Sequence, residues 1–340
     1  MPTLRRTLGR SLLGASLLLQ LFTVWCFAAL PDHFAAYPVL PIWVWGGGGL
    51  VLALLGWYLL RSSWSWLMSA VWVVTLLGGA DEARVLTHGG ISAPLPGPAA
   101  PSHGQPVIRV ITMNCAIFAF GDPSADLAAW APDIVLLQDA YPNQVRQIAM
   151  ALYGAKGAYC ARVSNGIATR WKIQGEIAHP TPRDQQATLT LPDGSALIVV
   201  NVHLASAATD LRLWQRTTWR DHRINRALRL RELSLVQQVL AQTTDFPNTP
   251  TLFGGDFNSA ASDIVLHQLD RDFVDAFSAA GTGWGDTFHR RFPILRIDHL
   301  YATRHFTPVR CHTVTSRHSD HRMVVADFVL DTAHGITSTR

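Results

Sequence analysis

Thr251-Leu252-Phe253-Gly254-Gly255-Asp256-Phe257-Asn258 runs from a β-prone apolar stretch directly into polar side chains. Two later segments share this design. Pro293-Ile294-Leu295 leads into Arg296-Ile297-Asp298-His299, and Ser319-Asp320-His321 opens onto Met323-Val324-Val325. Carboxylates and a histidine placed at strand ends can converge on one cleft. Such a set suits attack on phosphorus assisted by Mg²⁺, or by Mn²⁺ in its place. That chemistry needs neutralised phosphate oxygens, an oriented water and help for the leaving oxygen.

The chain around these segments predicts alternating elements. Val107–Met113 is β-rich and ends at Asn114; Ile134–Leu137 reads as a buried strand ending at Gln138-Asp139. Thr188–Leu191 and Ala196–His203 flank Pro192-Asp193-Gly194, a turn signal, and predict a hairpin. Pro123–Ala131 and Asn143–Leu152 read as helices. Leu228, Leu235, Val236, Val239 and Leu240 recur at helical spacing within Arg226–Gln242. Thr251–Phe253, Ile297–Ala302 and Met323–Leu330 add strands. The mixture predicts an α/β fold with a mixed sheet. Taken singly, Asp256, Asn258 and Asn114 are ordinary turn residues after strands; their joint order is what carries information.

That order is Asn114, Gln138-Asp139, Asn201-Val202-His203, Asp256 with Asn258, Asp298, and Asp320-His321. It resembles the endonuclease/exonuclease/phosphatase superfamily, the DNase I-like fold. Trp284-Gly285-Asp286-Thr287-Phe288 also looks like that family's Gly-x-Thr segment, and Asn165-Gly166-Ile167-Ala168, followed by Arg170, is similar to its Gly-x-Ala strand region. The resemblance covers residues 107–330, about two thirds of the chain, and implies a four-layer α/β sandwich. It further implies a catalytic set of His203, Asp256, Asn258, Asp298 and His321. Asp256 would orient or deprotonate the attacking water, and Asp298 would orient His321. Asn114, Asn258 and His203 would bind phosphate, while Asp139, Asp320 and Asn114 would hold the metal or its waters. The family's Gln-Glu pair is Gln138-Asp139 here, one methylene shorter, which bears on metal affinity more than on fold. His299 alternates with Asp298 and is expected on the opposite strand face; Cys115 is expected to be buried rather than nucleophilic.

The first 80 residues have a different character. They hold only Arg5, Arg6, Arg10, Asp32 and Arg61 as charges, and seven of the twelve tryptophans. Three uncharged runs, about 11–30, 39–60 and 62–80, approach the roughly 20 residues that span a bilayer core. They predict three transmembrane helices. The first is too long and apolar for a signal-peptide core and reads as an uncleaved anchor. The run Gly46-Gly47-Gly48-Gly49 in the second needs close helix packing to support it. Arginines before the first run and between the second and third place those ends in the cytoplasm. Residues after Ala80 then lie outside, in the periplasm if the membrane is an inner membrane. Residues 81–106, rich in proline and glycine, read as a linker to a domain over 107–331.

Four arginines and one aspartate give the anchor +3 of the chain's +4, so about +1 remains for the rest. A near-neutral domain gives little support for nonspecific nucleic-acid binding. Three cysteines after residue 80, without a CxxC, indicate neither a zinc site nor a disulfide framework. Arg212, Arg216, Arg220, Arg223, Arg226, Arg229 and Arg231, interleaved with Trp214 and Trp219, suit either phosphate or anionic lipid on one side, or a solvated helix face on the other. Together these features predict a membrane-anchored, divalent-metal-dependent phosphoesterase. Its substrate would be a nucleic acid, a phospholipid or a small phosphate ester, and no obligate protein partner is implied. The alternative is a catalytically impaired scaffold that binds phosphate or lipid, for which Asp139 is the support.

Overall fold

The structure, a computed structural model of the chain, describes residues 2–85, 93–206 and 211–331. Residues 86–92 of the expected linker lie outside the described residues. The chain begins with α1 (Pro2–Ala29), α2 (Ile42–Leu60), α3 (Ser63–Gly79) and the short α4 (Asp81–Val85). There follow β1 (Val107–Asn114), α5 (Ser124–Ala128), β2 (Ile134–Gln138), α6 (Pro142–Tyr153), β3 (Ala158–Arg162), β4 (Asn165–Thr169), β5 (Lys172–Ala178), β6 (Gln185–Thr190) and β7 (Ala196–His203). Next come α7 (Arg216–Thr243), β8 (Thr251–Asp256), α8 (Ile264–His267), β9 (Phe273–Asp275) and α9 (Ala276–Ala280). β10 (Asp298–Thr303), β11 (Phe306–Thr315) and β12 (Arg322–Leu330) end the series.

The strands form two six-stranded sheets, ordered β11-β12-β1-β2-β4-β3 and β5-β6-β7-β8-β10-β9. Both are mixed: β1 is parallel to β2 but antiparallel to β12, and β7 is parallel to β8 but antiparallel to β6. Successive side chains leave opposite faces of a strand, so each central strand feeds two cores. Val110, Leu136, Val199, Leu252, Leu300 and Phe328 meet between the sheets. Ile111 and Val135 pack outward against Leu127, Val145 and Ile148 of α5 and α6. On the other sheet, Ile198 and Val200 pack against Leu233, Val236 and Leu240 of α7. The layers therefore run helix, sheet, sheet, helix, which is the four-layer sandwich expected. Burial on both faces explains why these strands read as unbroken apolar runs.

The hairpin expected around Pro192-Asp193-Gly194 joins β6 to β7. α7 differs from expectation by starting at Arg216 rather than Arg226. Its first turns carry no apolar period facing a sheet because they rest on the anchor instead: Trp219 meets Phe34 edge-on at 5.8 Å between ring centres. The arginines in this helix also divide. Arg226 and Arg229 are almost fully buried and both approach Asp263, at 3.2 and 3.4 Å, so that end of the cluster is structural.

Among the described residues, α1 over Thr3–Ala29 and α2 are long and apolar enough to cross a membrane by length and composition. α3, the expected third span, is also apolar but shorter, at 17 residues. Its ends are fixed locally. Arg61 sits in the left-handed region at φ 53°, and Ser62 caps the helix by accepting the Trp64 N–H. The three helices pack together through small residues. A Cβ on Gly49 would lie 2.1 Å from the buried Trp72 ring, and Trp72 Nε1 donates to Ser16, whose hydroxyl donates to the Gly49 carbonyl. This is the support that the glycine run requires. Outward, Leu18, Leu21, Leu55, Val74 and Leu77 are exposed.

The bundle and the sandwich touch. Leu30 and Ala35 offer carbonyls to Arg226, and Ser262 donates to the Pro38 carbonyl. Arg296 bridges Asp81 (2.8 Å) and Asp275 (2.7 Å). A cavity of about 550 Å³ lies at this junction, lined by Phe27, Ile42, Glu82, Asp286 and Arg296 among others. Burial pushes the Asp286 carboxyl up to about 7 there, and the nearby Glu82 charge adds to the effect.

Further along, the Pro/Gly-rich segment is fixed to the domain. Arg109 Nη1 donates to the carbonyls of Leu95, Gly97 and Trp130, while its Nε and Nη2 form a bidentate pair with Asp327 at 2.7 and 2.9 Å. Both partners of that pair are buried. Removing one charge from a buried pair strands the other, at a cost of about 3–5 kcal/mol. Asp327→Asn is expected to lose that much in urea unfolding of the full chain in detergent; a loss below about 1 kcal/mol would show that water compensates the guanidinium.

Candidate active site

The two sheets end together, and the polar residues expected from the sequence lie at that edge. Asn114 and Gln138 close the parallel strands β1 and β2 and are register partners. His203 and Asp256 are partners at the ends of β7 and β8, and Asp256 in turn pairs with Asp298 at the start of β10. His321 immediately precedes β12. One sheet thus supplies Asn114, Asp139 and His321, the other His203, Asp256 and Asp298.

Glycine permits this convergence at β8. Gly255 has φ 140°, and a Cβ there would lie 2.0 Å from the Val202 carbonyl oxygen. The following residues turn the chain: Asn258 adopts φ 49° and donates its backbone N–H to Asp256 Oδ1. Asn258 Nδ2 donates to the Leu204 carbonyl, tying the turn to the end of β7. Asp139 is also left-handed, at φ 46°, a conformation that aspartate tolerates better than most residues. Left-handed Ala116, Ile117 and Phe118 follow Asn114, so strained backbone clusters around the cleft, as it does at many functional sites.

The side chains form two connected groups. In the first, Asn114 Nδ2 donates to Asp256 Oδ2 at 3.0 Å across the gap between the sheets. His203 Nε2 lies 3.7 Å from the same oxygen, and its Nδ1 lies 3.5 Å from Asp139 Oδ1. The shorter carboxylate of Asp139 therefore still reaches the cleft. In the second group, His321 Nδ1 and Asp298 Oδ2 are 2.9 Å apart and buried. Burial acts to lower the His321 pKa, but the Asp298 charge prevails and pushes it up to about 10. Burial raises the Asp298 carboxyl while the His321 charge lowers it. On balance the Asp298 carboxyl stands above its usual range, and its charge is what favours the protonated His321 ring.

One ligand atom from each of Asp256, Asp298 and His321 lies within 4.8 Å of the others. Among the described residues, Asp298 Oδ1 is buried with no hydrogen-bond partner. Buried carboxylate oxygens are normally satisfied, so the Asp256 and Asp298 carboxylates fit a cation or the water that a cation carries, while a His321 ring protonated by its bond to Asp298 cannot itself be a ligand. Asp320 is half-buried, and its backbone carbonyl accepts the Arg290 N–H.

Supporting residues explain the rest of each motif. Ser319 donates to the Asn114 carbonyl and accepts the His321 N–H, stapling the start of β12 to the end of β1. Thr287 accepts the backbone N–H groups of Ile297 and Asp298. Gln138 Nε2 donates to Asn201 Oδ1, and Asn201 Nδ2 donates to the Leu137 and Gly166 carbonyls. Arg170 pairs with Asp133 at 2.6 Å. His299 is buried on the other face of β10, with Nε2 at 3.0 Å from the Ser259 carbonyl. Cys115 is fully buried, and burial raises its thiol.

Asp184 was not anticipated. It accepts the His203 backbone N–H at 3.1 Å, and burial pushes its carboxyl up to about 7. It lies in a polar loop before β6, where nothing in the local sequence distinguishes it from a solvated turn residue.

Comparison with known proteins agrees with this geometry. The search of curated proteins finds no match. Among solved structures, an endonuclease/exonuclease/phosphatase family protein from Bacteroides thetaiotaomicron superposes with a TM-score of 0.55 at 18% identity, covering 68% of this chain and 98% of that one. A mannosyl-6-phosphatase from the same species gives 0.52 at 16%, covering 66% and 100%. D. rerio TDP2 complexed with a single-strand DNA product gives 0.50 at 17%, covering 65% and 98%. Residues 111–321, which run from within β1 to the histidine of the Ser-Asp-His segment, match the family model described as Endonuclease/Exonuclease/phosphatase family, and the chain belongs to that family of phosphoester hydrolases.

Proposed function

We propose that the protein is a membrane-anchored, Mg²⁺- or Mn²⁺-dependent phosphoesterase whose catalytic domain lies outside the cytoplasm. The observation that carries the activity is the pair of connected groups at one sheet edge, Asn114–Asp256–His203–Asp139 and Asp298–His321. In hydrolysis, a water oxygen bonds to phosphorus as the P–O bond to the leaving alcohol breaks. Asp256 orients that water and takes its proton; Asn114 and the Asn258 backbone N–H hold the carboxylate for this. His321, kept protonated by Asp298, donates through Nε2 to a phosphate oxygen as negative charge builds. His203 faces the phosphate from the other side of Asp256, and Asn114 and Asn258 border the same pocket. The departing alcoholate takes a proton from solvent. Asp139, Asp320 and Asn114 are the residues proposed to hold the metal, which when bound would neutralise phosphate charge and assist the leaving oxygen. The complete set of polar partners favours turnover over a scaffold that only binds.

The bundle supports the topology. Arg5 donates to the Tyr58 carbonyl, so the N-terminus and Arg61 share one end. Asp32 and Asp81 lie at the other end, each paired with an arginine of the catalytic domain. α3 can return the chain to that side only by crossing, and 17 residues is the lower limit for a span. Arginine at the far end favours the cytoplasm for it. The domains follow as an anchor over 1–80, a linker over 81–106 and a catalytic domain over 107–331.

The full chain in detergent is expected to hydrolyse bis-p-nitrophenyl phosphate with Mg²⁺ or Mn²⁺ and to stop when EDTA is added. Asp256→Ala and His321→Ala should each cost roughly 10²–10⁴-fold; no turnover with any divalent metal would sink the proposal. A C-terminal alkaline phosphatase fusion should be active, and one made after Arg61 inactive. The reverse pattern would refute the placement.

A further inference from the structure

We propose that the cleft takes its substrate from the bilayer: a phosphate ester of a lipid whose chains stay in the membrane while its headgroup reaches Asp256 and His321. This rests on the phosphoesterase reading above and names its substrate class.

The loops that rim the cleft are the loops that the anchor touches. Val39, between α1 and α2, packs with Phe288, Ile294, Leu295 and Ile297. The Ser262 hydroxyl, just past the Asp256–Asn258 turn, bonds to the Pro38 carbonyl. Trp43, in the first turn of α2, stacks edge-on with Trp284 at 5.6 Å. A tryptophan at the end of a spanning helix marks the headgroup depth of the membrane. Four residues beyond Trp284, the Phe288 ring lies 5.0 Å from the His321 ring. Four residues of extended chain reach at most about 14 Å. One short loop thus connects interfacial depth to the catalytic histidine.

The same rim carries the side chains that an interface rewards. Phe292, in that loop, is 76% exposed, and Trp214, ahead of α7, is 80% exposed. Each leaves apolar area in water that burial in a membrane interface would remove. A lone exposed aromatic is ordinary; here both stand on segments bound to the end of the bundle, since Leu211 joins the Val39 cluster and Trp219 meets Phe34. Cations accompany them. Arg290 donates to the Arg317 and Ser319 carbonyls at 2.6 and 2.8 Å, fastening the loop to the Ser-Asp-His segment. Arg216 and Arg220 follow Trp214. Aromatic residues mixed with arginine suit an anionic headgroup layer. The near-neutral remainder of the domain gives a free polyanion no comparable field.

The test uses the full chain in detergent and reconstituted into vesicles of phosphatidylethanolamine, phosphatidylglycerol and phosphatidic acid, with bis-p-nitrophenyl phosphate and single-stranded DNA assayed in parallel. The expected result is release of phosphate or a phosphorylated headgroup from vesicle lipid. Trp214→Ser combined with Phe292→Ser should lower that release at least about tenfold and change bis-p-nitrophenyl phosphate turnover by no more than about twofold. Turnover of bis-p-nitrophenyl phosphate or DNA with vesicle lipid untouched overturns the lipid assignment and leaves the phosphoesterase standing. Equal loss on both substrates in the double variant also overturns it. Turnover of none of the three overturns the phosphoesterase reading and this inference together.

Discussion

Everything in the catalytic domain depends on two sheets packing face to face so that their strand ends coincide. No single strand carries the site. Asp256 stands on one sheet and the Asn114 amide that holds it stands on the other. The sheets are close enough that a Cβ on Gly254 would lie 2.9 Å from Leu136 across the gap and 2.5 Å from Leu300 beside it. Close-packed interiors give little under load, so the distance between the two polar groups is set by apolar packing well away from them. Gln138 and Asn201 make a second polar tie between the sheets, behind the cleft. The hydrophobic core thus acts as the ruler that fixes a 3.0 Å contact at its rim.

Motif residues were legible in the sequence because their chemistry and their position coincide. Asp256, Asp298 and His321 each sit at the end of an apolar run, and the fold places them within one 4.8 Å cluster. Ser319 and Thr287 were visible as parts of motifs, but their work, accepting and donating main-chain hydrogen bonds, shows only in three dimensions. Asp184 was invisible: its role comes from meeting the end of β7 across a loop, a long-range contact with no local signature. The early turns of α7 escaped for a related reason. Periodicity reports a helix face that meets a core, and that stretch meets the anchor loop through Trp219 and Arg226 instead. The uncharged run 62–80 overstates the length of α3 because a run records composition, whereas Ser62 and Gly79 limit the helix itself to 17 residues.

Charge is used differently at the two ends of the domain. Near the linker, Arg109 and Asp327 neutralise each other inside the sandwich and gather carbonyls from the connecting segment. At the anchor, Arg226 and Arg229 share Asp263, and Arg226 reaches carbonyls on the far side of the junction. Buried ion pairs contribute little net stability, since desolvation offsets attraction, but they penalise any arrangement that separates the partners. Their effect here is on orientation: they set how the sandwich sits on the helices.

Arg296 joins that orientation to the chemistry. Its guanidinium bonds Asp81, immediately after the bundle, and Asp275, at the end of β9, and lies 3.3 Å from His299 Nδ1. Two residues later, Asp298 holds His321. Burial lowers the His299 pKa to about 4, with the Arg296 charge acting in the same direction, so that ring stays neutral beside the guanidinium. His299 can then accept from Arg296 at Nδ1 and donate from Nε2 to the Ser259 carbonyl, just past the Asp256–Asn258 turn. One cation therefore links the end of the anchor, the entry to β10 and the turn after β8. β10 pairs with β8 from Asp298 onward and with β9 only from Tyr301, so this network adds a hold at the strand entry where one sheet neighbour is missing. The short path of polar contacts between the anchor and the catalytic carboxylates runs through Arg296.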